Sequence, residues 1–370
     1  MESDSGLYSF LLFPKRKGYP LFHPQPSDDL PEESKEAGVR IGDIGVVTAR
    51  GSFDPIFNIL HEAGDRVVNR FGVPSHFVKL DLGDHAIERR VDVEASIDGN
   101  VFLPVGAGAE VEVSTDSKRA AVLVLPDGAS SWDLRNLQSF KDYAEKHTQT
   151  WYRFVNGKLG RRIVNGDLYL VTGVTKSSSW SVAVAEQSSG DSRISLKLKA
   201  SIVASAGASY AWSWEESSSS GCHSGPRGPQ AQKAWKNNQT IFLRGFRTYF
   251  RFPRPAKLPK ALSIQDSEWS DIRWKGQVAP YSNSLSGHSR TSRTSFSAQT
   301  DGGSRSPSES VDLQEDVDSL DLAVTGYHPS HVINEYLLDC APEATVVITH
   351  DNDWVSVLTE VKSGFTASLN

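Results

Sequence analysis

The spacing of hydrophobic and polar positions changes twice along this chain. From Ser131 to Tyr152 the apolar residues Leu134, Leu137, Phe140 and Ala144 recur near every 3.6 positions, and Trp151 and Phe154 extend the same side. That period predicts one long amphipathic helix over 131–152, capped by Ser131 or Asp133 and stopped by Asn156-Gly157. The period then shortens to two. Asp167 to Val174 sets Leu168, Leu170 and Thr172 against Tyr169 and Val171. Trp180 to Ala185, Arg193 to Val203, Ser209 to Glu215 and Thr240 to Phe252 follow as further strands. In the third of these, Ile194, Leu196, Leu198, Ala200 and Ile202 share a face opposite Arg193, Lys197 and Lys199. Upstream, Glu88 to Ile97 alternates Val91, Val93 and Ala95 with charge. Ala120 to Leu125 is apolar throughout and ends at Pro126-Asp-Gly128, the pattern of a strand covered on both faces. The fold class read from these periods is α+β: an antiparallel β-rich sandwich or meander with one long amphipathic helix.

Composition divides the chain further. Residues 1–37 read as an extended N-terminal arm, because 14–38 are rich in Pro, Gly and charge. A β-rich core is expected over 38–281, opening at Gly38-Val-Arg-Ile-Gly-Asp-Ile-Gly45. Residues 282–321 read as a disordered Ser/Arg-rich insert running into the acidic stretch Asp312 to Asp321. A small helix–strand module, 322–370, closes the chain and is expected to pack on the core. His328-Pro-Ser330 opens its helix, with Val332, Ile333, Tyr336 and Leu337 as the apolar side. Ala344 to Thr349 reads as a strand, His350 to Asp353 as a turn and Trp354 to Leu358 as a partner strand.

Charge and cysteine content narrow the function classes. The 370 residues carry a net charge of −6, so no basic excess points to nucleic acid. Two cysteines, Cys222 and Cys340, read as free thiols of a reducing compartment. The N-terminus places acids before a short apolar run and Lys15-Arg-Lys17 after it, the reverse of an export signal. No run of about 18 apolar residues exists, so no transmembrane segment is expected. These features point to a cytoplasmic location and to an unglycosylated Asn238-Gln-Thr240 sequon.

Catalytic motifs are sparse. Gly166 to Ser177 lacks the spacing of a phosphate-binding loop, Gly106-Ala-Gly108 lacks that of a dinucleotide site, and no G-x-S-x-G occurs. Cys222-His223 are neighbours in sequence, which rarely gives the geometry of a nucleophile and its base. His350, Asp351 and Asp353 combine an imidazole with two carboxylates, a donor set for a divalent ion; the same residues suit an ordinary turn. Trp180, Trp212 and Trp214 lie on alternating strands and suit either a stacking platform or a core. Ser292, Thr294 and Ser295 follow arginines in Arg290-Thr-Ser-Arg-Thr-Ser295, a context for regulatory phosphorylation. No cofactor is expected, and the partner is a protein or small ligand of unknown identity.

Several phrases together, Gly18-Tyr-Pro-Leu-Phe22, Ile41-Gly-Asp-Ile-Gly45, Leu125-Pro-Asp-Gly128, Phe242-Leu-Arg-Gly-Phe246 and Ile348-Thr-His-Asp351, make the chain resemble a group of uncharacterised proteins of mushroom-forming (basidiomycete) fungi. The resemblance implies no activity. Leu168-Tyr-Leu-Val-Thr172 resembles a strand of gasdermin-like pore-forming proteins, which would imply membrane hairpins between Asp167 and Glu215. Three readings therefore stand: a non-catalytic interaction protein, a metal-assisted hydrolase using His350, Asp351 and Asp353, and a pore-former.

Overall fold

A computed structural model describes residues 3–83, 86–92, 102–103, 110–115, 118–125, 127–186, 194–203, 209–216, 220–227, 237–250, 328–355 and 365–369. The elements run α1 (Asp4–Leu12), β1 (Tyr19–Pro20), α2 (Glu32–Ala37), β2 (Asp43–Val47), β3 (Phe53–Asn58), β4 (Ile87–Asp92), β5 (Phe102–Leu103), β6 (Glu110–Thr115), β7 (Arg119–Val124) and β8 (Ala129–Leu134). Then follow α3 (Leu137–Tyr152), β9 (Tyr169–Ser177), β10 (Trp180–Glu186), β11 (Ile194–Val203), β12 (Ser209–Glu216), β13 (Ser220–Gly225), β14 (Gln239–Phe250), α4 (Ser330–Cys340), β15 (Val346–His350), α5 (Asp351–Val355) and β16 (Phe365–Leu369). The fold is α+β with antiparallel sheets; the short β5–β7 pair is parallel.

Three sheets result. The central one is eight-stranded and built around β9 and β14. β14 pairs with β1 near its start and with β15 along its second half, while β9 pairs with β2 and β8 on the edge away from β14. The second sheet has the order β13-β10-β7-β5, and the third β12-β11-β6-β16. The connections from β7 to β8 and from β9 to β10 carry the chain from the second sheet to the central one and back.

Burial explains why β9 and β14 lie at the centre. Every residue of β9 is buried, because both faces are covered. On one face Leu170, Phe246 and Phe250 pack with Phe140, Ala144, Trp151 and Tyr152 of α3. On the other, Tyr169, Val171 and Leu243 pack with Phe13, Tyr19, Val39 and Phe53. A third cluster joins Leu7, Tyr8 and Leu12 of α1 to Leu123, Val182 and Trp180. Each fully buried large side chain contributes about 1.5–3 kcal/mol.

Four expectations are corrected. The N-terminal arm is not extended throughout. α1 forms there, capped by the Ser3 hydroxyl accepting from the Gly6 amide at 3.1 Å, and it buries Leu7 and Tyr8. The long helix starts at Leu137 rather than Ser131, because 129–134 pair with β4 and β9 as β8. Asn136 is its cap. α4 turns part of its expected apolar side outward: Val332 and Tyr336 are 70% and 67% exposed, while Ile333 packs against the core and Ser330, Asn334 and Leu338 face inward. Finally, Trp354 and Val355 complete the short α5 instead of starting a strand. The insert 282–321, with Ser292, Thr294 and Ser295, lies outside the described residues.

Candidate functional site

Beneath α4, on the Tyr169 side of the central sheet, the chain collects a set of buried titratable groups. Tyr152 of α3 positions the loop before β9: its hydroxyl accepts from the Gly166 and Leu168 amides at 2.8 and 3.3 Å. Asn165 brackets Phe250 with two 3.0 Å bonds. Gly166 sits at φ +93°, and a Cβ there would strike the Tyr249 ring, so glycine is required. Asp167, 4% exposed, is thereby held beside Arg247, 2% exposed. The two are 3.8 Å apart, and His331 Nε2 lies 3.2 Å from the same carboxylate oxygen. The guanidinium donates to the Gly166 carbonyl and stands over the rings of Tyr19 and Tyr169. His331 Nδ1 is 2.6 Å from the Tyr249 hydroxyl.

The candidate metal residues join the same region in structural roles. Asp351, 1% exposed, accepts from the Tyr169 hydroxyl and from the Gly245 amide, and lies 3.2 Å from His328 Nε2. Burial raises its carboxyl above the ordinary range. His350 Nδ1 accepts from the Asn352 amide at 3.1 Å, so its other nitrogen carries the proton and faces Thr172 Oγ1 at 2.7 Å. Burial lowers the His350 pKa and keeps the ring neutral. The Asp353 carboxylate accepts from the His350 amide at 2.8 Å. Both His350 nitrogens are thus occupied. Among the described residues no group of three or more His, Cys, Asp or Glu is placed to hold a metal ion. The spacing that suggested a metal is the spacing of a strand-to-helix turn: Asp353 bonds back to the backbone and Asp351 ties the turn to Tyr169.

Of the two readings of Trp180, platform or core, the structure has the core. It is 2% exposed, and its indole N–H donates to Gln239 Oε1 at 3.0 Å. Its ring lies edge-on to His223. His223 in turn stacks on His23 with centroids 4.2 Å apart and bonds the Phe22 carbonyl at 2.7 Å. Burial, with His23 alongside, pushes the His223 pKa down to about 4. Neither Cys222 nor Cys340 is joined in a disulfide among the described residues. Asn238 is fully buried and donates to the Lys35 carbonyl, so its amide is not open to a glycan.

The third sheet differs in kind. Its register sets Leu198 opposite Trp214 and Val111, Ala200 opposite Trp212, and Ile202 opposite Tyr210. Val113 and Val111 lie opposite Ala367 and Leu369. Because successive strand residues alternate sides, these fall on one face across all four strands. The other face carries Lys197 between Glu112 and Glu215, and Lys199 opposite Glu110. Register thus sorts the charged and the apolar positions of this sheet to opposite faces. Trp212 and Trp214 were expected on one face; the register adds β6 and β16, which no local period could have joined to them.

No helix among the described residues is long and apolar enough to cross a membrane. Comparison with known proteins finds no matching family model, curated protein or solved structure.

Proposed function

We infer that this is a non-catalytic binding protein of the cytoplasm whose recognition surface is the apolar face of the third sheet. One observation carries the reading: the four-strand register gathers Leu198, Trp212, Trp214, Val111 and Leu369 on one side and the Lys–Glu pairs on the other. Aromatic residues on such a face supply large contact area at low entropic cost. Two cysteines not joined to each other are what a reducing compartment would give. The hydrolase reading loses its support, since His350, Asp351 and Asp353 are spent on fixing the turn between β15 and α5. Phosphorylation of Ser292, Thr294 and Ser295 would add negative charge beside the acidic stretch and supply regulation. Proximity labelling in the native cell tests the proposal. A partner labelled by the wild-type chain is expected to be lost with Leu198→Asp and retained with Lys197→Ser; equal labelling by all three contradicts it.

A second reading draws on the same strands. β11 has ten residues, the length a tilted strand needs to cross hydrocarbon. Dye leakage from anionic liposomes decides it: release by the wild type that Leu198→Asp abolishes favours a pore, and absence of release removes it.

A further inference from the structure

α4 buries Leu338 and packs Ile333 on the core, yet turns the rest of its hydrophobic pattern outward. Asn334 is fully buried beneath it, and neither of its side-chain amide atoms meets a hydrogen-bond partner among the described residues. Leaving such a group unsatisfied costs about 1–3 kcal/mol. Val332 and Tyr336 instead project outward, with Leu337 beside them. The exposed residues Glu335 and Asp339, spaced i,i+4, and Glu343 just past the helix end, set carboxylates alongside this ridge. The outer face is therefore apolar and acidic together. What complements it is a segment carrying cations and apolar anchors.

One stretch of this chain has that chemistry and the right point of departure. Residues 251–260, Arg-Phe-Pro-Arg-Pro-Ala-Lys-Leu-Pro-Lys, hold Arg251, Arg254, Lys257 and Lys260 with Phe252 and Leu258, and no acid. They follow β14 directly, and its last residue, Phe250, pairs with Val346, a short connection beyond the end of α4. Ten residues span up to about 33 Å, whereas an eleven-residue helix such as α4 is roughly 16 Å long. We propose that the outer face of α4 is a docking surface and that its occupant is residues 251–260 of the same chain. The docking sets the basic side chains against Glu335, Asp339 and Glu343, and Phe252 and Leu258 against Val332, Tyr336 and Leu337.

Cys340, exposed at the end of this ridge, provides the test. Full-length protein carrying Cys222→Ser and Leu258→Cys is oxidised mildly, and bond formation is followed by mass spectrometry. The expected result is a Cys340 disulfide to position 258 within one chain. Its rate should fall at least tenfold when Glu335→Lys and Asp339→Lys are added, with no change in melting temperature. If that pair unfolds the protein, Val332→Ser with Tyr336→Ser supplies the same comparison. No disulfide, a rate indifferent to these substitutions, or a disulfide joining two chains overturns the proposal; the last outcome makes a second copy the occupant.

Discussion

The central sheet under α4 and the third sheet solve opposite problems. The first buries Asp167, Asp351, Arg247 and His328 and must satisfy each of them locally. The third sorts its residues by strand register, placing Lys and Glu positions on one face and apolar positions on the other. Charge in the first is structural and costly to disturb, because an unpaired buried ion has no water to turn to. Charge in the third is set across neighbouring strands by register, an arrangement that contributes little where it faces solvent. Titratable residues are therefore a poor guide to function in this protein, and the sorted face a better one.

Substitutions in the two regions should differ accordingly. Arg247→Ala leaves Asp167 buried without its cation and should cost about 3–5 kcal/mol in urea unfolding; a loss below about 1 kcal/mol would mean the ion pair is dispensable. Asp351→Ala strands the Tyr169 hydroxyl, the Gly245 amide and His328, for an expected loss of about 2–3 kcal/mol. Metal content sharpens the same point: purified protein should carry no stoichiometric zinc or manganese that His350→Ala removes.

The next effect is one of pH. Folding depresses His223 from its ordinary 6.5 to about 4, and His350 moves the same way. The unfolded chain then binds more protons than the folded one in that window. The stability the His223 ring contributes is complete above pH 6.5 and is lost as pH falls toward 4, and His350 acts in the same direction. Asp43 and Asp351, raised by burial, act in the opposite sense, so the comparison has to be made within one site. His223→Gln should show a shallower loss of melting temperature between pH 6.5 and 4 than the wild type. Parallel curves would remove His223 as a contributor. Smallest of all, Lys197→Ser on the charged face of the third sheet should shift stability by less than about 0.5 kcal/mol.

Much of this contrast is legible along the chain, and the rest is hidden for physical reasons. The period-two runs of β9 to β12 and the apolar run of β7 announce themselves, because each strand repeats its environment residue by residue. β8 is hidden: Ser130, Ser131 and Trp132 fall beside a helical period, and only pairing with β4 and β9 makes 129–134 a strand. α1 is missed because Asp4 to Leu12 is short, and its burial depends on β7 and β10 far along the chain. The face of α4 is misread because local apolar spacing favours Val332 and Tyr336 inward. His328 and His331, which reach Asp351 and Asp167, fix the helix the other way. The buried cluster draws on Tyr19, Asp167, Arg247, His331 and Asp351, residues scattered across most of the chain that no local motif gathers.

The account stands on the apolar face of the third sheet, and amide hydrogen exchange with and without the labelled partner addresses that face directly. The account predicts slowed exchange in β11 and β12 on partner binding, with β14, β15 and α4 unchanged. Protection confined to β14, β15 and α4, or absent from β11 and β12, would contradict it.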